Sequence, residues 1–242
     1  MAFCTMNFWG AALQKQCSMN VILPESKKFK PPFCLLIQLH GMSDDHTIWL
    51  RRTSIDRYVS DLPLIVLMPD GARAFYCDTI LGAYEKHIME DVLGFAEKYL
   101  PVRRDRMGRA IGGLSMGGYG SMKMALKYPH KFASVVSHSG GFRIPDKIAK
   151  KLDAPKRPGQ VVIPRDDVFD IAAKLGTRKA PAIRIDCGKD DFLLDANRRF
   201  HRHLAKLGIK HEYREYPGDH NWAYWDEHIQ QALQFHMKHL KA

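Results

Sequence analysis

The chain has 242 residues, of which 45% are hydrophobic, and carries a formal net charge of +11. That length buries one large core, and the composition is that of an ordinary globular protein. It excludes a repeat array, a low-complexity segment and a membrane-spanning apolar run, and the N-terminus shows no basic region followed by an apolar stretch, so a cytoplasmic location is expected. Five widely spaced cysteines, Cys4, Cys17, Cys34, Cys77 and Cys187, read as free thiols rather than as disulfide or metal pairs.

In chain order, Gln16 to Leu23 reads as a strand ended by Pro24. Phe33 to Leu39 and Leu64 to Met68 are nearly continuous apolar runs, as strands covered on both faces should be. Thr47 to Val59 and Ala83 to Tyr99 have helical spacing. Arg109 to Leu114 is a strand, Gly117 to Tyr128 a helix, and Ala133 to Ser137 a further strand. Phe142 to Ala180 breaks the rhythm with prolines and short amphipathic pieces, and reads either as a small cap-like insertion near the catalytic edge or as an ordinary surface excursion. Ala182 to Cys187 and His211 to Tyr216 complete the strands. Asp195 to Leu207 and Trp222 to Leu240 complete the helices. Such alternation predicts a single α/β domain, a mostly parallel sheet with helices on both faces.

Between a strand and a helix stands Gly113-Leu114-Ser115-Met116-Gly117. G-x-S-x-G in that context is a nucleophile elbow, whose glycines let strand and helix approach while the serine is lifted on a tight turn. A serine nucleophile needs a base. His220 lies after the last strand and before the last helix, at the sheet edge where α/β sites form. His40 and His138 read as loop histidines near the site, whereas His201, His203, His228, His236 and His239 fall on helices and read as surface residues. The orienting acid should follow the preceding strand, where Asp190 and Asp191 compete. Asp191, three past Gly188, is favoured, and Asp190 is left to cap the next helix. The order Ser115, Asp191, His220 is that of the α/β hydrolases. The oxyanion requires preorganised donors, for which the backbone N–H groups of Met116 and Met42 are the candidates. His40, Trp49, Tyr76, Trp222 and Trp225 are candidate pocket residues, with core packing as the competing reading.

The blocks Leu39 to Leu50 (LHGMSDDHTIWL), Gly112 to Gly120 (GGLSMGGYG), Cys187 to Phe192 (CGKDDF) and Pro217 to Trp222 (PGDHNW) resemble the esterase D-like branch of the α/β hydrolases, and within it the bacterial tributyrin esterases. The resemblance implies an α/β-hydrolase fold and a serine carboxylesterase acting on short-chain acyl esters, acetyl to butyryl, with Ser115, Asp191 and His220 as triad. It implies no metal or cofactor. It also brings in S-formylglutathione hydrolases, feruloyl and acetyl xylan esterases and mycolyl transferases as alternatives, and oligomers are common in the group. The expected partner is a small-molecule ester. The basic charge, part of it on Arg198, Arg202 and Lys206 at helical spacing, reads as a solvated surface, with no nucleic-acid motif and no membrane segment.

Overall fold

In a computed structural model of the chain, residues 1–142, 167–177 and 180–241 are described. Their centre is an eight-stranded sheet in the order β1-β2-β4-β3-β7-β8-β9-β10. The strands are β1 (Ala2–Gly10), β2 (Lys15–Leu23), β3 (Cys34–Leu39), β4 (Leu64–Pro69), β7 (Arg109–Leu114), β8 (Ser134–His138), β9 (Ala182–Gly188) and β10 (Glu212–Tyr216). A two-stranded ribbon, β5 (Asp78–Thr79) with β6 (Gly82–Ala83), stands apart from it. The strands from β4 to β10 run parallel, while β1 and β2 are antiparallel additions at one edge. This is the α/β-hydrolase architecture.

Strand alternation sorts the core into two layers. Leu35, Ile37, Leu39, Ile111 and Val135 pack on one face with α4 (Leu93–Tyr99), α5 (Met116–Lys127), α6 (Val168–Leu175) and α7 (Leu194–Lys206). Cys34, Leu36, Val66, Ala110 and Val136 pack on the other with α1 (Ile48–Arg52), α2 (Ile55–Tyr58) and α8 (Trp222–His239). A strand buried on both faces has no polar side to show, which is why these runs are continuously apolar.

Several expectations need correction. The sequence reading has no strand before Gln16, yet β1 pairs with β2 over its whole length. Its exposed face mixes Phe3 and Trp9 with Thr5 and Asn7, which hides the two-residue period. The helix expected over Thr47 to Val59 is two short helices. Between them the Thr53 hydroxyl accepts from the Ile55 N–H at 3.2 Å, and the Ser54 N–H donates to Asp226 on α8 at 2.8 Å. Side chains competing for backbone groups end a helix in this way. The helix expected over Ala83 to Tyr99 contains α3 (Tyr84–Lys86), then a π-helical turn His87–Val92, before α4. Of the expected insertion, α6 is packed against α5 and α7, with Val168 and Ala172 fully buried; residues 143–166 and 178–179 lie outside the described residues. His228 and His236 are buried on α8 rather than at the surface. Burial pushes the His236 imidazole down to about 3, and the ring is bonded to the Ser134 hydroxyl at 2.8 Å.

Gly113 and Gly117 let main chain meet main chain where α5 leaves β7 beside the end of β3. A Cβ on Gly117 would lie 2.6 Å from the Leu39 carbonyl oxygen and 2.7 Å from that of His40; one on Gly113 would lie 2.6 Å from the Gly117 backbone. The obstructing atoms are main chain and cannot swing aside. Gly117→Ala is expected to destabilise by at least the ~1–3 kcal/mol typical of overpacking, read as a drop of several degrees in Tm. An unchanged melting curve would contradict the packing described.

Candidate active site

Parallel strands end on one side of the sheet, so the loops after β3, β7, β8, β9 and β10 meet there. Ser115 follows β7 with φ +53° and ψ −114°, a backbone region that costs a non-glycine residue on the order of 1–3 kcal/mol. Surrounding bonds hold it in place. Its N–H donates to the His138 carbonyl at 2.9 Å, and its carbonyl accepts from Gly141 at 2.9 Å and from Tyr119 at 3.0 Å. The side chain is left half-exposed at the opening of α5.

His220, in the loop after β10, brings Nε2 to 3.1 Å from Ser115 Oγ. Its Nδ1 lies 2.9 Å from Asp191 Oδ2 and 3.0 Å from Oδ1. The Asp191 carboxylate is fully buried, while the His220 ring is 16% exposed. An imidazole bound to a carboxylate at Nδ1 carries its proton there, leaving Nε2 free to accept the serine proton. Close approach again sets the loop: a Cβ on Gly188 would meet the Gly218 carbonyl oxygen at 2.3 Å.

Burial pushes the Asp191 carboxyl up, but hydrogen bonds from His220, Ser139 and the Leu193 N–H outweigh it and hold the group below its ordinary range. Asp191 also does the local capping expected of Asp190, because its Oδ1 accepts from the Leu193 N–H at 2.8 Å. The residue before α7 is Leu193, which makes no side-chain cap.

Ser139 was not visible as a site residue in the sequence. It is fully buried and sits at φ +49°. Its hydroxyl bonds to Asp191 and accepts from Trp225 Nε1 at 3.3 Å. The Trp225 ring stands edge-on to His220, with centroids 4.9 Å apart. On the outer side Phe192, 75% exposed, covers the same imidazole at 4.5 Å. Its place directly after the favoured aspartate was the one available signal.

The pocket candidates divide. His40, Trp49 and Tyr76 are at most 1% exposed, so they form no open wall. They brace the loop after β3 instead. Tyr76 Oη accepts from the His40 N–H at 3.0 Å and donates to the His40 carbonyl at 3.1 Å. The His40 ring accepts from the Gly71 N–H at Nε2, 2.8 Å, and donates from Nδ1 to the Gly41 carbonyl at 2.7 Å. Trp49 Nε1 donates to the Leu39 carbonyl at 3.1 Å. Trp222 is partly exposed and packs edge-on against both Trp49 and Trp225. His138 ends β8 rather than lying in a loop, and is buried against Asp186 at 2.8 Å. Met42 is carried by the braced loop, and Met116 opens α5, where first-turn N–H groups have no acceptor within the helix.

A family model described as "Putative esterase" matches residues 10–236. The chain belongs to this esterase family. It is 28% identical to an acetyl esterase of Caldicellulosiruptor saccharolyticus over 98% of this chain and 99% of that one. Among solved structures it is similar to a fluorophosphonate-binding serine hydrolase of Staphylococcus aureus, 28% identical with a TM-score of 0.84, covering 97% of this chain and 98% of that one. An S-formylglutathione hydrolase of Staphylococcus aureus matches over the same shares, 29% identical with a TM-score of 0.82. The esterase is thus a serine hydrolase acting on carboxylic esters. Among its described residues no helix is long and apolar enough to cross a membrane.

The lowered Asp191 pKa has a signed consequence. Its stabilisation is fully present above the unfolded carboxylate value and is lost as pH falls through the lower folded value. Asp191→Asn is therefore expected to be less stable than wild type in urea at neutral pH, with the gap closing below about pH 4. A gap independent of pH would contradict the assignment of these hydrogen bonds.

Proposed function

We propose that the esterase hydrolyses short-chain acyl esters, acetyl to butyryl, through an acyl-enzyme on Ser115. The reading rests on one observation above all: the 3.1 Å contact between His220 Nε2 and Ser115 Oγ, continued at 2.9 Å to Asp191. His220 takes the hydroxyl proton as Oγ attacks the ester carbonyl. The backbone N–H groups of Met116 and Met42 stabilise the oxyanion. Asp191 holds the imidazole tautomer and stabilises the imidazolium. The alcohol leaves with the proton from His220, and water activated by the same base then releases the acid. His40 and Tyr76 act through the loop they brace, keeping the Met42 amide aimed, and Trp222 is a rim residue of the substrate site.

Ser115→Ala is expected to lower kcat/KM for p-nitrophenyl butyrate by several orders of magnitude with the melting temperature kept; near-normal turnover would sink the nucleophile assignment. A p-nitrophenyl series from acetyl to decanoyl should peak at acetyl to butyryl. A thioesterase is the second reading, favoured by the 29% identity to an S-formylglutathione hydrolase. A rate on S-formylglutathione exceeding every ester would replace the first reading with it.

A further inference from the structure

Phe3, Trp9, Leu81, Tyr99 and Phe192 are the exposed large apolar side chains among the described residues, and Phe192, at 75%, is the most exposed of them. A single apolar side chain at a surface is ordinary. This one stands on the candidate triad. Its ring centre lies 4.5 Å from that of His220 with the planes 52° apart, so part of the ring leans on the imidazole and the rest is open. The backbone that carries it is tied on both sides. The Asp190 N–H donates to the Gly218 carbonyl at 3.0 Å, and the Leu194 N–H donates to the Asp191 carbonyl at 2.9 Å. Phe192 is thus an aromatic surface held in place beside the base and left uncovered.

The chemistry decides which half of a substrate meets it. In acylation the leaving alcohol takes its proton from His220 Nε2, so its oxygen must come within hydrogen-bond reach of that nitrogen. The carbonyl oxygen turns instead toward the backbone N–H groups of Met42 and Met116. A ring resting on the imidazole therefore borders the alcohol half of the ester. Given the acyl-enzyme chemistry proposed above, on which this rests, we propose that Phe192 sets the alcohol specificity: its open ring packs against an aromatic alcohol, so that phenolic and benzylic esters of short acids are the preferred substrates. Paired rings gain more than their buried area alone supplies, and a ring on a fixed turn loses little conformational freedom when it is covered. Trp225 stands edge-on to the same imidazole, and the partly exposed Trp222 packs on Trp225, so Phe192 belongs to a set of aromatic rings around the base.

The test compares benzyl butyrate with 2-methoxyethyl butyrate, whose alcohols have similar acidity and differ in the ring. kcat/KM is measured on both for wild type, Phe192→Ala, Phe192→Leu and Phe192→Tyr, and each variant is divided by wild type on the same ester, which removes intrinsic reactivity. Phe192→Ala should lose about tenfold on benzyl butyrate and only about twofold on the other, the twofold reflecting cover lost from His220. Phe192→Leu keeps apolar cover over the imidazole without a ring face and should show the same selective loss. Phe192→Tyr should keep the wild-type preference. Capture of the acyl-enzyme reads the same site in reverse. With p-nitrophenyl butyrate as donor and benzyl alcohol added, the alcohol oxygen attacks the acyl carbon and its proton passes to His220. The bond to Ser115 Oγ then breaks, Oγ takes that proton, and benzyl butyrate is released. At equal alcohol concentrations wild type should form more benzyl butyrate than 2-methoxyethyl butyrate, and Phe192→Ala should lose that preference. Equal losses on the two esters would overturn the proposal and leave Phe192 as packing for the base alone. So would a loss that follows acyl length across p-nitrophenyl acetate to decanoate, which puts the ring on the acyl side. A wild type that turns over neither butyrate removes the short-chain reading itself, and this inference with it.

Discussion

The site depends on how closely α5 can press against the ends of β3 and β7. Gly113 and Gly117 permit main-chain contact where any side chain would collide. That contact forces the turn at Ser115 into its positive-φ conformation, which three backbone hydrogen bonds then retain. The serine hydroxyl is presented on a rigid support instead of a mobile loop, and the first N–H groups of a helix lie beside it. Orientation of this kind is the larger part of what a serine hydrolase supplies, since the proposed nucleophile is a plain alcohol.

A second layer of packing fixes the proposed base. His220 is enclosed by Trp225 edge-on, Phe192 on its outer side and the Asp191 carboxylate behind. Asp191 is tied in turn to Ser139 and the Leu193 amide, and Ser139 to Trp225. One indole therefore touches the imidazole directly and also supports the hydroxyl that supports its carboxylate. Buried polar groups satisfied this fully are rigid, which keeps the Nε2 lone pair aimed at Ser115.

Much of this was legible in the sequence because it is local. A G-x-S-x-G between an apolar strand and a helix, an aspartate three past Gly188, and a histidine between the last strand and helix each announce themselves within a few residues. What stayed hidden depends on partners distant in the chain. His40 and Tyr76 looked like pocket residues by proximity to motifs, yet the Tyr76 hydroxyl bonds the His40 backbone across 36 positions. Ser139 gains its role only when the end of β8 meets the loop after β9. His236 looks like a surface helical histidine until α8 is laid against the sheet and Ser134 receives it. β1 escaped because an edge strand with one solvated face is not continuously apolar, and its solvated face carries Phe3 and Trp9 among polar residues.

The central claim is a covalent acyl intermediate on Ser115, and its most direct test is to trap it. Mixing the esterase with excess p-nitrophenyl butyrate, quenching in acid within the first turnover, and mapping peptides by mass spectrometry should find one butyryl group on the peptide containing Ser115. Full turnover with no acylated peptide, or acylation at another residue, would contradict the account.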